Sequence, residues 1–176
     1  MKYNLSEVTE VIKNRRTIYP EDYTDRAVHK EIVEDVLNNA IWAPNHGMVQ
    51  PWRFKVFLGE GVKTAGKEIV NIYKKVIPEQ EWSQRKLDKI ESRTSSVSVL
   101  IALCMSPGED TRIPEIENMA AVACAVQNMY LTCTAYGLGS YWSSPKYAYS
   151  DEMKTFLKLG DFTSDPAALM HKLRAL

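Results

Sequence analysis

The stretch Trp42–Phe54, WAPNHGMVQPWRF, decides the fold. It opens where an amphipathic helix must stop, because Pro44 cannot continue the helix and pushes its neighbour out of helical geometry. It closes on a run from Arg53 to Leu58 in which Phe54, Val56 and Leu58 share one face, the pattern of a half-buried strand. Between the two lie a proline-fixed turn, an amide, a histidine and two indoles. A helix that hands over to a strand through such a turn can line a flat, aromatic, hydrogen-bonding ligand.

Working outward, the helix upstream is predicted over Val28 to Trp42, with Ile32, Val33, Val36, Leu37, Ala40 and Ile41 on one stripe. Another helix is predicted from Asn4 to Arg15, where Leu5, Val8, Val11 and Ile12 keep helical spacing and Asn4 with Glu7 has the form of a capping box. Downstream, Gly59–Gly61 is a turn, Val62 to Val76 a helix, and Glu79 to Arg93 a charged, solvated helix. Val97 to Met105 is continuously apolar and reads as a strand buried on both faces. The longest helix is predicted from Glu115 to Tyr136 and is apolar nearly all round. Such a helix must be covered on all sides, so a subunit interface is expected. Gly137 ends it. Gly139 to Ser143 reads as a short aromatic strand or turn edge. Ser150 caps a helix ending at Gly160, and the tail DFTSDPAALMHKLRAL reads as a short helix with Asp165 as cap and Pro166 at its first position.

The 176 residues are read as one domain, 1–176, with an unusual tail at 161–176. The formal net charge is zero, which leaves no electrostatic argument for nucleic acid or an anionic membrane as partner. No segment has the length and apolarity of a membrane span, and the first residues lack the apolar core of a signal peptide. Cys104, Cys124 and Cys133 lie in apolar runs with no CxxC pair, so buried reduced thiols in a cytoplasmic protein are expected. No spacing of His29, His46 and His171 suggests a metal site.

Three clusters could carry chemistry. Arg15-Arg16-Thr17 offers two guanidinium forks and a hydroxyl, suited to a phosphate. The same arginines at a helix C-terminus also complement the helix dipole, which is the competing structural reading. Asn45 and His46 follow the proline turn, where an imidazole can donate to a phosphate or ring oxygen, or simply bond nearby backbone. Trp42, Pro51 and Trp52 can flank a planar ring, although Trp52 reads better as core. Gly137 to Ser144 places Trp142, Ser143 and Ser144 after a glycine-rich helix end, where backbone groups and hydroxyls can meet polar ligand edges. No nucleophile motif is present, so in an enzyme the hard chemistry falls to a cofactor.

NRRT at Asn14–Thr17, WAPNHGMVQPWRF at Trp42–Phe54, AAVACAVQNMYLTCTAYGLGS at Ala120–Ser140 and YWSSP at Tyr141–Pro145 occur in an order that resembles the nitroreductase family of flavin-dependent oxidoreductases, its compact members in particular. The resemblance implies an α+β three-layer fold, with a mixed or antiparallel central sheet flanked by helices. It implies a homodimer that holds FMN between its subunits and takes a hydride from NADH or NADPH for a small acceptor such as a nitroaromatic or quinone. Arg15, Arg16 and Thr17 match positions that grip the phosphate and ribityl region. Trp42 and His46 match cofactor contacts on the turn, and Trp142, Ser143 and Ser144 match a second flavin segment, supplied across the dimer. Thr132 to Gly137 is expected near the nicotinamide donor. No side chain is assigned as acid or base. The chain departs from the pattern at Trp42 and Ser143, where relatives often carry arginine. It also departs after Gly160, where a sheet strand is expected to be missing or replaced by a helix. That change motivates a second reading, a flavin store or sensor with little turnover, and the apolar helix around Val122 a third, a structural dimer without ligand.

Overall fold

The computed structural model describes residues 3–106 and 112–159. The tail helix expected around Asp165, and the family's C-terminal strand, lie outside the described residues. Six α-helices and two strands are present among the described residues: α1 Leu5–Asn14, α2 Lys30–Ala40, β1 Trp52–Leu58, α3 Glu60–Val76, α4 Gln84–Ser95, β2 Val99–Met105, α5 Glu115–Ala135 and α6 Asp151–Phe156. The chain divides into two compact units. The first comprises residues 1–23, 27–52 and 105–142; the second comprises 24–26, 53–104 and 143–176.

The first unit is helical. α2 buries Val33, Val36, Leu37 and Ala40, the stripe expected from spacing, against α5, which buries Ala121, Val122, Ala125, Val126 and Met129. Polar bonds lace the same contact. The Asn39 side chain donates to Thr132 Oγ1 (3.1 Å), Asn128 donates to the Asn39 carbonyl (3.2 Å), and the Tyr136 hydroxyl donates to Asp35. Buried polar groups are satisfied here, so the helix pair has a fixed register as well as an apolar core. Two apolar faces stay open. α1 has no buried residue and exposes Leu5, Val8 and Ile12; α5 exposes Ile116 and Met119 on the side away from its core residues.

The second unit holds the sheet and three helices. β1 and β2 are its two described strands. The amide of Ser106, just past the end of β2, bonds the carbonyl of Pro51, just before the start of β1 (2.8 Å), so the strands run antiparallel. α3 and α6 cover the sheet: Ile72, Cys104, Met153 and Leu157 form one cluster, with Phe57 stacked on Phe156 at a centroid distance of 5.7 Å. The expected burial of β2 on both faces is corrected, since Cys104 is its one fully buried residue. With two described strands, β2 has a single hydrogen-bonded neighbour. Of the two readings of Gly139–Ser143, strand or turn edge, the strand is corrected: that segment is irregular. Burial pushes the Cys104 thiol up to about 11. Cys124, by contrast, is exposed, so not all three thiols are buried.

Candidate functional site

The carbonyl end of α1 and the segment after α5 build one concavity on the first unit. The α1 helix ends at Arg15, whose amide bonds the Val11 carbonyl, and the chain then leaves as an extended run. That run is pinned to the α5 exit by the Ile18 amide on the Ser140 carbonyl (3.1 Å) and by the tilted rings of Tyr19 and Tyr141, 5.1 Å apart. The approach requires a glycine at 139. A Cβ there would stand 2.6 Å from Tyr23 Cε1 and 3.3 Å from Ile18 Cβ. Gly139→Ala is therefore expected to cost roughly 1–3 kcal/mol by overpacking, measurable by thermal unfolding.

Arg15, Thr17 and Trp142 line the concavity with Ala123, Val126, Gln127 and Tyr130 of α5, around a volume of about 260 Å³. Three residues singled out from the sequence are thus brought together. Trp142 lines this concavity within its own chain. Arg16 behaves differently. Its guanidinium donates to the Lys13 carbonyl (2.5 Å) and the Arg15 carbonyl (2.8 Å), so it satisfies the open end of α1. Of the arginine pair, Arg16 thus serves the helix end, while Arg15 lies at the wall of the concavity.

Tyr130 was not singled out from the sequence. The Arg15 guanidinium lies 5.5 Å from its ring centre, a cation–π contact. Burial, the largest effect, raises the Tyr130 phenol above its usual range, opposed by the Thr17 side chain, the Trp142 backbone and the charge of Arg15. The signal was available as the one aromatic among the α5 residues that line this concavity. Behind it, burial raises the Cys133 thiol, opposed by a bond to Ser140.

The Trp42–Gln50 turn does not join this concavity in one protomer. Trp42 is 83% exposed, whereas Trp52 and Pro51 are core. Asn45 is spent on the turn itself: its side-chain oxygen accepts from the Gln50 amide (2.9 Å) and its nitrogen reaches the Ala43 carbonyl (3.5 Å). His46 Nδ1 donates to Glu117 at the start of α5 (2.5 Å). Gly47, Met48 and Gln50 all take positive φ, of 58°, 55° and 48°. For Met48 and Gln50 that conformation is strained, and such strain persists where surrounding contacts hold it. The φ of 58° at Gly47 favours glycine, and a Cβ there would stand 2.8 Å from Ile113 Cδ1, the movable tip of that side chain.

Glu117 and Tyr130 are thirteen residues apart on α5. At 1.5 Å and 100° per residue they are separated by about 20 Å along the axis and about 140° around it. His46 and the Arg15 concavity therefore use different flanks of the same helix. The His46–Glu117 pair is largely solvated, so Glu117→Gln is expected to cost at most about 1 kcal/mol of stability. It should still free the imidazole, read as a change in the His46 ring nitrogen shifts by NMR. Ser143 and Ser144 are exposed and belong to the second unit. Thr132 is buried, its hydroxyl donating to the Asn128 carbonyl (2.8 Å) and accepting from Asn39, so it is not available to a nicotinamide donor.

Comparison with known proteins gives a consistent result. YfhC of Bacillus subtilis, named as a candidate NAD(P)H nitroreductase, is 26% identical over 160 residues, 89% of this chain and 78% of its own. The nitroreductase-like family protein from Bacillus cereus superposes with a TM-score of 0.72 at 30% identity, covering 89% of this chain and 79% of that one. A candidate nitroreductase from Desulfovibrio desulfuricans, solved in complex with FMN, gives 0.64 at 25% identity, covering 94% and 80%. The model of the Nitroreductase family matches residues 12–170, and this chain belongs to that family.

Proposed function

We propose that the chain is an FMN-dependent oxidoreductase, taking a hydride from NADH or NADPH and passing the electrons to a small acceptor such as a nitroaromatic or quinone by a ping-pong mechanism. The observation that carries this reading is the concavity in which Arg15, Thr17 and Trp142 meet over Tyr130. Its donor set fits the group: a cation and hydroxyls for a phosphate, and an indole beside them for a planar ring. Bound FMN supplies the electron-carrying ring; the chain supplies position and hydrogen bonds. Its free thiols favour the reducing cytoplasm as the place of work.

We infer that the working unit is a homodimer. The concavity, at about 260 Å³, falls below the roughly 300–1,000 Å³ of a complete small-molecule site. A second wall is needed. The open apolar faces of α1 and α5 give a second copy a surface to cover. The turn that carries Trp42 and His46 is exposed, and it is proposed to contact the ligand from the second copy.

The test is to load the purified protein with FMN and mix it anaerobically with NADH or NADPH. Rapid bleaching of the flavin band, restored by a quinone, is the expected result. A protein that binds FMN but is not bleached is a store or sensor. A protein that takes up no FMN overturns the reading altogether.

A further inference from the structure

We propose that Glu117 is a positioning residue for His46. By holding the Nδ1 proton it decides what the outward ring nitrogen offers: Nε2 donates to a ligand oxygen only while the ring is charged, and is a bare acceptor once the ring is neutral. The inference rests on the proposed contact between this turn and the ligand, and adds to it a residue and a pH dependence.

A neutral imidazole carries one proton on two nitrogens, and a carboxylate accepts without donating. His46 Nδ1 lies 2.5 Å from Glu117 Oε2, so Nδ1 keeps its proton in both states of the ring. The second proton of the charged ring is therefore on Nε2, and its loss turns a donor into an acceptor. Nε2 has no hydrogen-bond partner among the described residues, and the side chain is 59% exposed. The backbone that carries the ring is braced. Asn45 closes the turn through Ala43 and Gln50, the Val49 amide bonds the His46 carbonyl (3.2 Å), and Gly47, Met48 and Gln50 are left-handed. Glu117 stands in the first turn of α5, whose buried face is packed against α2. Of the other charges at this end of the helix, Glu115 is two residues back, about 200° around the axis, and Arg112, the nearest cation in sequence, precedes the helix. A proton on Nε2 suits a ligand oxygen, and a lone pair there opposes one. The affinity that His46 contributes is thus present while the ring is charged and lost as pH rises through its titration.

The test pairs ring NMR with flavin titration, on wild type and Glu117→Gln. Nitrogen-15 shifts of the His46 ring are read at about pH 8.5, above the range in which histidine ordinarily loses its charge. Wild type is expected in the Nδ1–H form. In E117Q the amide can donate to Nδ1, and the Nε2–H form is expected to gain. FMN dissociation constants are then compared at about pH 5.5 and about pH 8.5. Taking the ratio of variant to wild type at each pH cancels the titration of the phosphate itself. E117Q is expected to bind like wild type at the acid end and roughly three- to tenfold more tightly at the alkaline end, the size of one net hydrogen bond. A neutral wild-type ring found mainly as Nε2–H would overturn the proposal. So would the same ratio at both pH values, which is the mark of a removed negative charge alone. Where E117Q proves unfolded by circular dichroism, the wild-type ring spectrum decides. Wild type that binds no FMN defeats the proposed function instead, and the ring spectrum still decides the role of Glu117.

Discussion

Arg15→Ala is expected to weaken FMN binding by roughly ten- to a hundredfold, while Arg16→Ala leaves it nearly unchanged. The two residues are neighbours of the same type, so charge alone predicts equal effects. Geometry separates them. Arg15 lies on the Tyr130 ring at the wall of the concavity, and a charge-assisted hydrogen bond to phosphate is worth about 1.5–3 kcal/mol. Arg16 has turned back onto the Lys13 and Arg15 carbonyls at the end of α1. Removing it should lower stability by about 0.3–1 kcal/mol, the scale of a helix-end cation. Flavin fluorescence titration measures the first effect and denaturant unfolding the second. Equal loss of flavin from both variants would contradict the assignment.

The second large effect concerns assembly. Met119 stands on the exposed side of α5. Met119→Glu places a carboxylate where the proposed interface excludes water, and places its symmetry mate close by. An uncompensated buried charge costs about 3–5 kcal/mol, at least about a hundredfold in the dimer dissociation constant. The variant is expected to sediment as a monomer, to fold, and to lose FMN, since a monomer keeps only half of the site's wall. Flavin retained by a monomeric Met119→Glu would show that one chain suffices.

The helices were the legible part of this sequence, because their signals are local. The stripe Val33, Val36, Leu37 and Ala40 faces the core as its spacing requires, and Ser150 caps α6 by accepting from the Met153 amide (3.1 Å). The alternation of Phe54, Val56 and Leu58 marked β1 for the same reason. What escaped was set by contacts distant in sequence. The Ile18 amide on the Ser140 carbonyl and the Tyr19–Tyr141 ring contact hold the segment around Gly139 without a described ladder, so of the two readings of its aromatic run, strand or turn edge, the strand is absent there. The continuous apolar run of β2 has the same composition whether one neighbour pairs with it or two. In the site, Arg15, Thr17 and Trp142 were recognisable as residue types, and their meeting was not. Tyr130 joins them from the other side of the sequence gap, through a ring face and a hydroxyl that no motif encodes. Asn45 was legible as a turn amide. That both ends of its side chain are consumed by Ala43 and Gln50 emerges only from the backbone path, including the left-handed residues at 47, 48 and 50.

The central claim is that the Arg15 concavity becomes a flavin site only when a second copy closes it. Sedimentation of FMN-loaded protein, followed at both a protein and a flavin wavelength, tests this most directly. The account predicts that flavin absorbance travels with a species of about 40 kDa, twice the 20.0 kDa chain, at one FMN per chain, and is lost on dilution in step with dissociation. Flavin sedimenting with the single chain, or not sedimenting with the protein, would contradict it.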